Sequence, residues 1–190
     1  MKSSQPSASG TDFSETPLDS EAVFEGRLLR VCRDRVRLPD GNVSTREYIL
    51  HPGAAMIIAC PDPDTVVLER QFRYPLRRHF IELPAGKIDA GEEALATAQR
   101  ELREECGYIA RDWRHLATLH PCIAYADERI ELFMAGGLTE AGSALDEGEF
   151  LEVMTLPLME ALDWVREGRI TDPKTVTGLF WAEKLRRGEW

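Results

Sequence analysis

The sequence predicts a mixed α/β sandwich preceded by an antiparallel hairpin. Three observations carry this. Short β-compatible runs stand on both sides of one amphipathic stretch, and two further helical stretches close the chain. Near the N-terminus, two arginine-rich β runs flank Pro39-Asp40-Gly41, a good turn sequence.

Residues 1–20, "MKSSQPSASGTDFSETPLDS", have no apolar run behind Lys2. Their Ser, Pro and Gly content reads as a disordered tail, neither signal peptide nor anchor. One domain is expected over residues 21–190, opening with the hairpin 22–51. "AAMIIAC" and "TVVLERQF", divided by "PDPD", read as two central strands, and "HFIELPAG" as another that Pro84 and Gly86 stop. A helix is expected from about Glu92 to Cys106, with Leu95, Ala98 and Leu102 as its core stripe and Gly107 as its stop. "HLATLHP", "RIELFMAGGL" and "EFLEVMTL" follow as strands, then "LMEALDWVREG" as a short amphipathic helix. The last helix takes Asp172 as N-cap and Pro173 in its first turn, and is expected to bury Val176, Leu179 and Phe180.

A chain of 190 residues, 43% hydrophobic, can build one sizeable core. Lys plus Arg total 23 against 33 Asp plus Glu, a net charge of -10. Such a surface repels nucleic acid and anionic membrane, so neither is an expected partner, and no stretch approaches the length of a membrane span. An anionic ligand would need clustered arginines or bound cations. Four scattered cysteines without a CxxC pair, and only four histidines, argue against structural zinc and against a disulfide framework. The expected compartment is the reducing cytoplasm.

The amphipathic helix breaks a local rule. Glu101, Glu104 and Glu105 gather at its C-terminal end, where the helix dipole is already negative and like charges three and four apart repel. Taken alone, they read as a solvated face with Arg100 and Arg103 interleaved. Their setting, a strand, a tight loop and then the helix, points elsewhere. Hard divalent cations take carboxylate and carbonyl oxygens and keep waters that a phosphate can replace. Bound metal would turn the repulsion into attraction, and a broken local rule is where function is expected.

Gly86, then Glu92, then Arg100-Glu101-Leu102-Arg103-Glu104-Glu105-Cys106-Gly107-Tyr108 resembles the Nudix box at every fixed position, with Tyr108 where an aliphatic residue is usual. The resemblance implies a Nudix-type α/β/α sandwich and magnesium-dependent hydrolysis of a nucleoside diphosphate linked to another group, with manganese as an alternative cation. It implies that Glu101, Glu104 and Glu105 bind metal, that Arg100 holds a carboxylate in position and that Glu92 braces loop and helix. The carbonyl of Ala85 is implied as a further ligand.

From Arg27 onward the layout resembles ADP-ribose pyrophosphatases. "STREYILHPGAA" would bring Arg46 and Glu47 near the ligand, and "ERQFRYP" would set Arg73 on the phosphates or ribose. Glu82 of "IELPAGKID" and Glu128 of "HPCIAYADERIELF" match ligand-side acids, and Pro121 matches a marker of the class, although Ala124 replaces a frequent glycine. In "LDEGEFLEV" the resemblance puts the catalytic base on Glu147 and another metal ligand on Glu149. One sequence does not separate these from Glu152, and a loop-borne base can close over substrate. The implied reaction splits ADP-ribose into AMP and ribose 5-phosphate. The alternatives are another nucleotide sugar, such as GDP-mannose or ADP-glucose, or a sensor that binds ADP-ribose uncut. Relatives are commonly homodimers, which would let Arg46 act across the interface.

Overall fold

Backbone pairing divides the chain into two units. The computed structural model describes residues 11–145, 148 and 150–190. One unit is Met1–His51 with Ala124–Asp127; the other is Pro52–Ile123 with Glu128–Trp190.

The first unit carries an antiparallel sheet of β1 (Thr16–Glu25), β2 (Arg30–Arg37) and β3 (Val43–Leu50), in that order. β2 and β3 are the expected hairpin. Its turn closes with Gly41 N–H donating to the Leu38 carbonyl at 2.9 Å, and Gly41 takes a φ of 90° that glycine adopts without strain. The third strand corrects the tail expectation, because β1 begins at Thr16, inside residues 1–20. Composition there is poor in β-formers, but cross-strand pairing overrides it. The ladder runs from Thr16↔Arg37 to Glu25↔Arg30, with Asp19 paired to Arg35 and Glu21 to Arg33.

The second unit is built around β4 (Ala54–Ala59), all six of whose residues are buried. A continuous apolar run marks a strand covered on both faces. β4 pairs in parallel with β9 (Ile130–Glu140) and antiparallel with β7 (Ala85–Lys87), and β8 (Tyr108–Leu119) completes the order β7-β4-β9-β8. A second, antiparallel sheet has the order β10-β5-β6, from β5 (Thr65–Arg73), β6 (Arg78–Glu82) and β10 (Leu151–Pro157). Alternation along β4 divides the core in two. Ala55, Ile57 and Ala59 pack with Ala98 and Leu102 of helix α1 (Ala94–Glu104). Met56 and Ile58 pack with Leu68, Leu83, Leu158 of α2 (Leu158–Arg166) and Leu179 of α3 (Pro173–Arg186). Helices thus cover β4 from both sides.

Four local expectations change. The helix starts at Ala94, leaving Glu92 in the preceding loop, and its first turn buries Thr97 while Leu95 is 40% exposed. Phe180 is 48% exposed; the buried row of α3 is Thr175, Gly178, Leu179 and Ala182, set by Gly178, where a Cβ would land on Leu83. Gly86 does not end a strand. β6 stops at Glu82, Pro84 supplies no ladder N–H, and the chain changes sheets so that Gly86 pairs with Ala55 in β7. Lastly, "HLATLHP" is only the end of a 12-residue strand that begins at Tyr108.

Candidate active site

Glu93 occupies the N-cap of α1 without a side-chain cap bond. The preceding residue does the holding. Glu92 Oε2 accepts from Thr97 Oγ1 at 2.7 Å and from Arg100 Nη2 at 3.0 Å, and its Oε1 accepts from Arg100 Nε at 3.1 Å. Arg100 Nη1 then donates to Glu101 Oε1 at 2.8 Å and Glu104 Oε2 at 3.1 Å. One guanidinium therefore offsets the crowding of three carboxylates. The hydrogen bond from Arg100, and next that from Thr97, hold the Glu92 carboxyl down at about 2, while its bond to Glu92 raises the arginine.

Glu101 leans on β7. A Cβ at residue 86 would land on the Glu101 carboxylate, so only glycine leaves room for it beside Ala85. Glu105, at the C-cap, turns inward and is 5% exposed. The interior it enters holds Glu69 of β5, 1% exposed, and Glu82 of β6, 3% exposed. Arg73 answers these charges. Its Nε donates to Glu82 Oε1 at 2.7 Å and its Nη2 to Oε2 at 3.0 Å, and Lys174 of α3 forms an ion pair with the same Oε2. Burial alone would raise the Glu82 carboxyl; Arg73 and Lys174 outweigh it and hold it below the usual carboxylate range. The bond to Glu82 raises Arg73, and the charges of Glu69 and Glu105 add to that. Burial pushes the Cys106 thiol up, again with Glu69 and Glu105 contributing. Arg73, Glu82 and Lys174 line a cavity of about 450 Å³.

Glu69 and Lys174 are absent from the sequence-based site. An acid inside the apolar run "TVVLERQF" is the signal that could have exposed Glu69. Of the remaining expected residues, Arg46 and Glu47 lie on β3 of the first unit, where Arg46 pairs with Glu15 and Glu47 with Arg33 at 3.1 Å. Glu128 is half-buried just ahead of β9, and Glu152 lies on β10 paired with Arg70 at 2.8 Å. Glu147 and Glu149 fall outside the described residues.

The donors present suit a hard divalent cation. The Glu101, Glu104 and Glu105 carboxylates and the Ala85 carbonyl are all oxygen, and the glycine at residue 86 keeps side chain and backbone close. Among the described residues, however, no three acidic, His or Cys side chains converge as a ready cation site. Arg100 draws Glu101 and Glu104 to itself while Glu105 faces inward, so a cation bound there would have to compete with Arg100 for the acids.

The fold and this helix define a Nudix hydrolase. The chain belongs to that family: the NUDIX domain matches residues 50–176. Ahead of it, the nucleoside diphosphate sugar hydrolase N-terminal domain matches residues 15–49. The methanol dehydrogenase activator of Bacillus methanolicus is 41% identical over 176 residues, covering 92% of this chain and 95% of that protein. The ADP-ribose pyrophosphatase of Bacillus subtilis (strain 168) is 39% identical over 171 residues, covering 89% of this chain and 92% of its own. A crystal structure of an ADP compounds hydrolase superposes with a TM-score of 0.84 at 26% identity, covering 95% of this chain and 98% of that one.

Proposed function

We propose that this enzyme hydrolyses the diphosphate bond of ADP-ribose, giving AMP and ribose 5-phosphate, with magnesium as its cation and manganese as a substitute. The observation that carries the reading is the folded box. Arg100 spans Glu92, Glu101 and Glu104 beside the glycine-bounded turn, and Glu105, 5% exposed, turns inward to where its charge acts on Arg73. Similarity to ADP-ribose pyrophosphatases along about nine-tenths of the chain supports ADP-ribose as the substrate.

Glu101, Glu104, Glu105 and the Ala85 carbonyl would hold the cation, with Glu149 joining them. When bound, it would neutralise the diphosphate and stabilise charge developing on phosphorus and the leaving oxygen. Arg73 orients the diphosphate; its remaining nitrogen, Nη1, is turned from Glu82. Glu147 takes the proton of the attacking water. Arg100 holds Glu101 and Glu104 at one edge of the site, and Glu92 holds Arg100.

The first unit fits a second copy of the chain. β1 is exposed along its whole length and includes Phe24 at 55% exposure, so the reading includes a homodimer in which Arg46 acts across the interface. All four cysteines are free, which fits the cytoplasm, and no described helix is long and apolar enough to cross a membrane.

A second reading keeps the chemistry and changes the sugar nucleotide, to GDP-mannose or ADP-glucose. The N-terminal match favours it, because its description specifies a nucleoside diphosphate sugar and no particular base. Binding without cleavage fits poorly with a box that retains every carboxylate. A panel of these nucleotide sugars with magnesium, followed by product analysis, decides among them. ADP-ribose should turn over fastest and release AMP; equal or slower turnover than its rivals would overturn the substrate assignment.

A further inference from the structure

Lys174 stands in the first turn of α3, far along the chain from the box, yet it is tied to the wall of the same cavity. Its Nζ meets Glu82 and donates to Asp172 Oδ2 at 2.9 Å. The next residue repeats the attachment, since Leu83 N–H donates to Thr175 Oγ1 at 2.9 Å. Two consecutive residues of α3 thus grip Glu82, which ends β6, and Leu83 just after it. The helix itself does not need the lysine. Asp172 already caps it by accepting from Thr175 N–H at 2.9 Å, and Thr175 already ties it to the strand.

The lysine charge serves Glu82. That carboxylate is 3% exposed and accepts from two cations, two bonds from Arg73 and one from Lys174. Arg73, whose side chain is 41% exposed, depends on the same carboxylate for its orientation. A bidentate pair fixes a guanidinium plane only as firmly as the carboxylate itself is fixed. We propose that Lys174 is a positioning residue: it anchors Glu82 from α3, and Glu82 in turn aims Arg73 at the substrate's diphosphate. This rests on the role given to Arg73 above.

The test uses the full-length enzyme with magnesium and ADP-ribose. Lys174→Met should raise KM about tenfold, leave kcat within about threefold and shift the unfolding midpoint by only a few degrees. Lys174→Arg should recover most of the KM. On an Arg73→Ala background, Lys174→Met should add nothing further. Glu82→Gln with Lys174→Met removes both charges together, which guards against a misfolded single variant, and should raise KM at least as far as Lys174→Met because the carboxylate that aims Arg73 is also lost. A second measurement needs no substrate. The Arg73 Nε–H resonance in ¹⁵N NMR, bonded to Glu82, should be sharp in wild type and broadened in Lys174→Met. Unchanged KM, additive effects with Arg73→Ala, or an unchanged Nε–H signal would overturn the role of Lys174. Failure of the wild-type enzyme to cleave any nucleotide sugar would instead overturn the proposed function.

Discussion

Arg100 grips Glu92 through two nitrogens, Nε at 3.1 Å and Nη2 at 3.0 Å, and turns the third on Glu101 and Glu104. An acid in the loop thereby fixes the arginine that restrains the helix acids. The helix tolerates Glu101 and Glu104 at its negative end because Arg100, oriented from the loop, bridges them.

That pairing predicts an acid limb in stability. Folding lowers the Glu92 carboxyl from 4.5 to about 2, so its contribution is whole above about 4.5 and fades as pH falls toward 2. Glu92→Gln should lower stability at pH 7 by about 1–2 kcal/mol, a figure reduced for solvent access. Urea unfolding across pH should show wild type and variant converging between these two values. A gap that persists undiminished at the acid end would mean another group supplies the stability.

Gly86→Ala should act through Glu101. The added methyl displaces the carboxylate, and kcat should fall on the order of a hundredfold, as small misplacements in active sites do. Circular dichroism should show the fold retained, because β7 pairs with β4 through backbone groups that the added methyl leaves in place. Near-normal turnover would remove Glu101 from the metal set.

Glu105→Gln should separate catalysis from stability. It removes one of three crowded charges, so the unfolding midpoint should hold or rise slightly, while kcat drops about a hundredfold or more. Chelation with EDTA should abolish turnover in wild type, with magnesium restoring it. A Glu105→Gln enzyme that keeps its rate would exclude this carboxylate from cation binding.

Arg73→Ala should raise KM more than it lowers kcat if, as proposed, the guanidinium orients bound diphosphate. It also strips Glu82 of two of its hydrogen bonds and leaves that acid to Lys174 alone. A modest loss of thermal stability should accompany the weaker binding. Unchanged affinity for ADP-ribose would return Arg73 to a purely structural part.

Much of this was legible in the sequence, and the gaps have a common physical cause. Box residues from Gly86 to Tyr108 are set by local spacing, and strand, loop and helix follow from it. Periodicity gives Leu95 and Phe180 an angle on their helices but not the point where the covering neighbour ends. β1 is held by its register against β2, which a composition poor in β-formers does not announce. Lys174 and Glu82 are 92 residues apart, and no local pattern pairs them. Glu69 reads as an interruption of an apolar strand until its burial beside Arg73 gives it company.

The parallel pairing of β4 with β9 sets a timetable for synthesis. The acids of α1 leave the ribosome well before Ile130–Ala135, the stretch that completes the sheet beneath them, and Lys174 emerges later still. Contacts so distant in sequence close slowly and late. A nascent chain halted before that helix would carry every residue of the motif while Glu82 and Leu83 still lacked Lys174 and Thr175, and one wall of the Arg73 cavity would be missing.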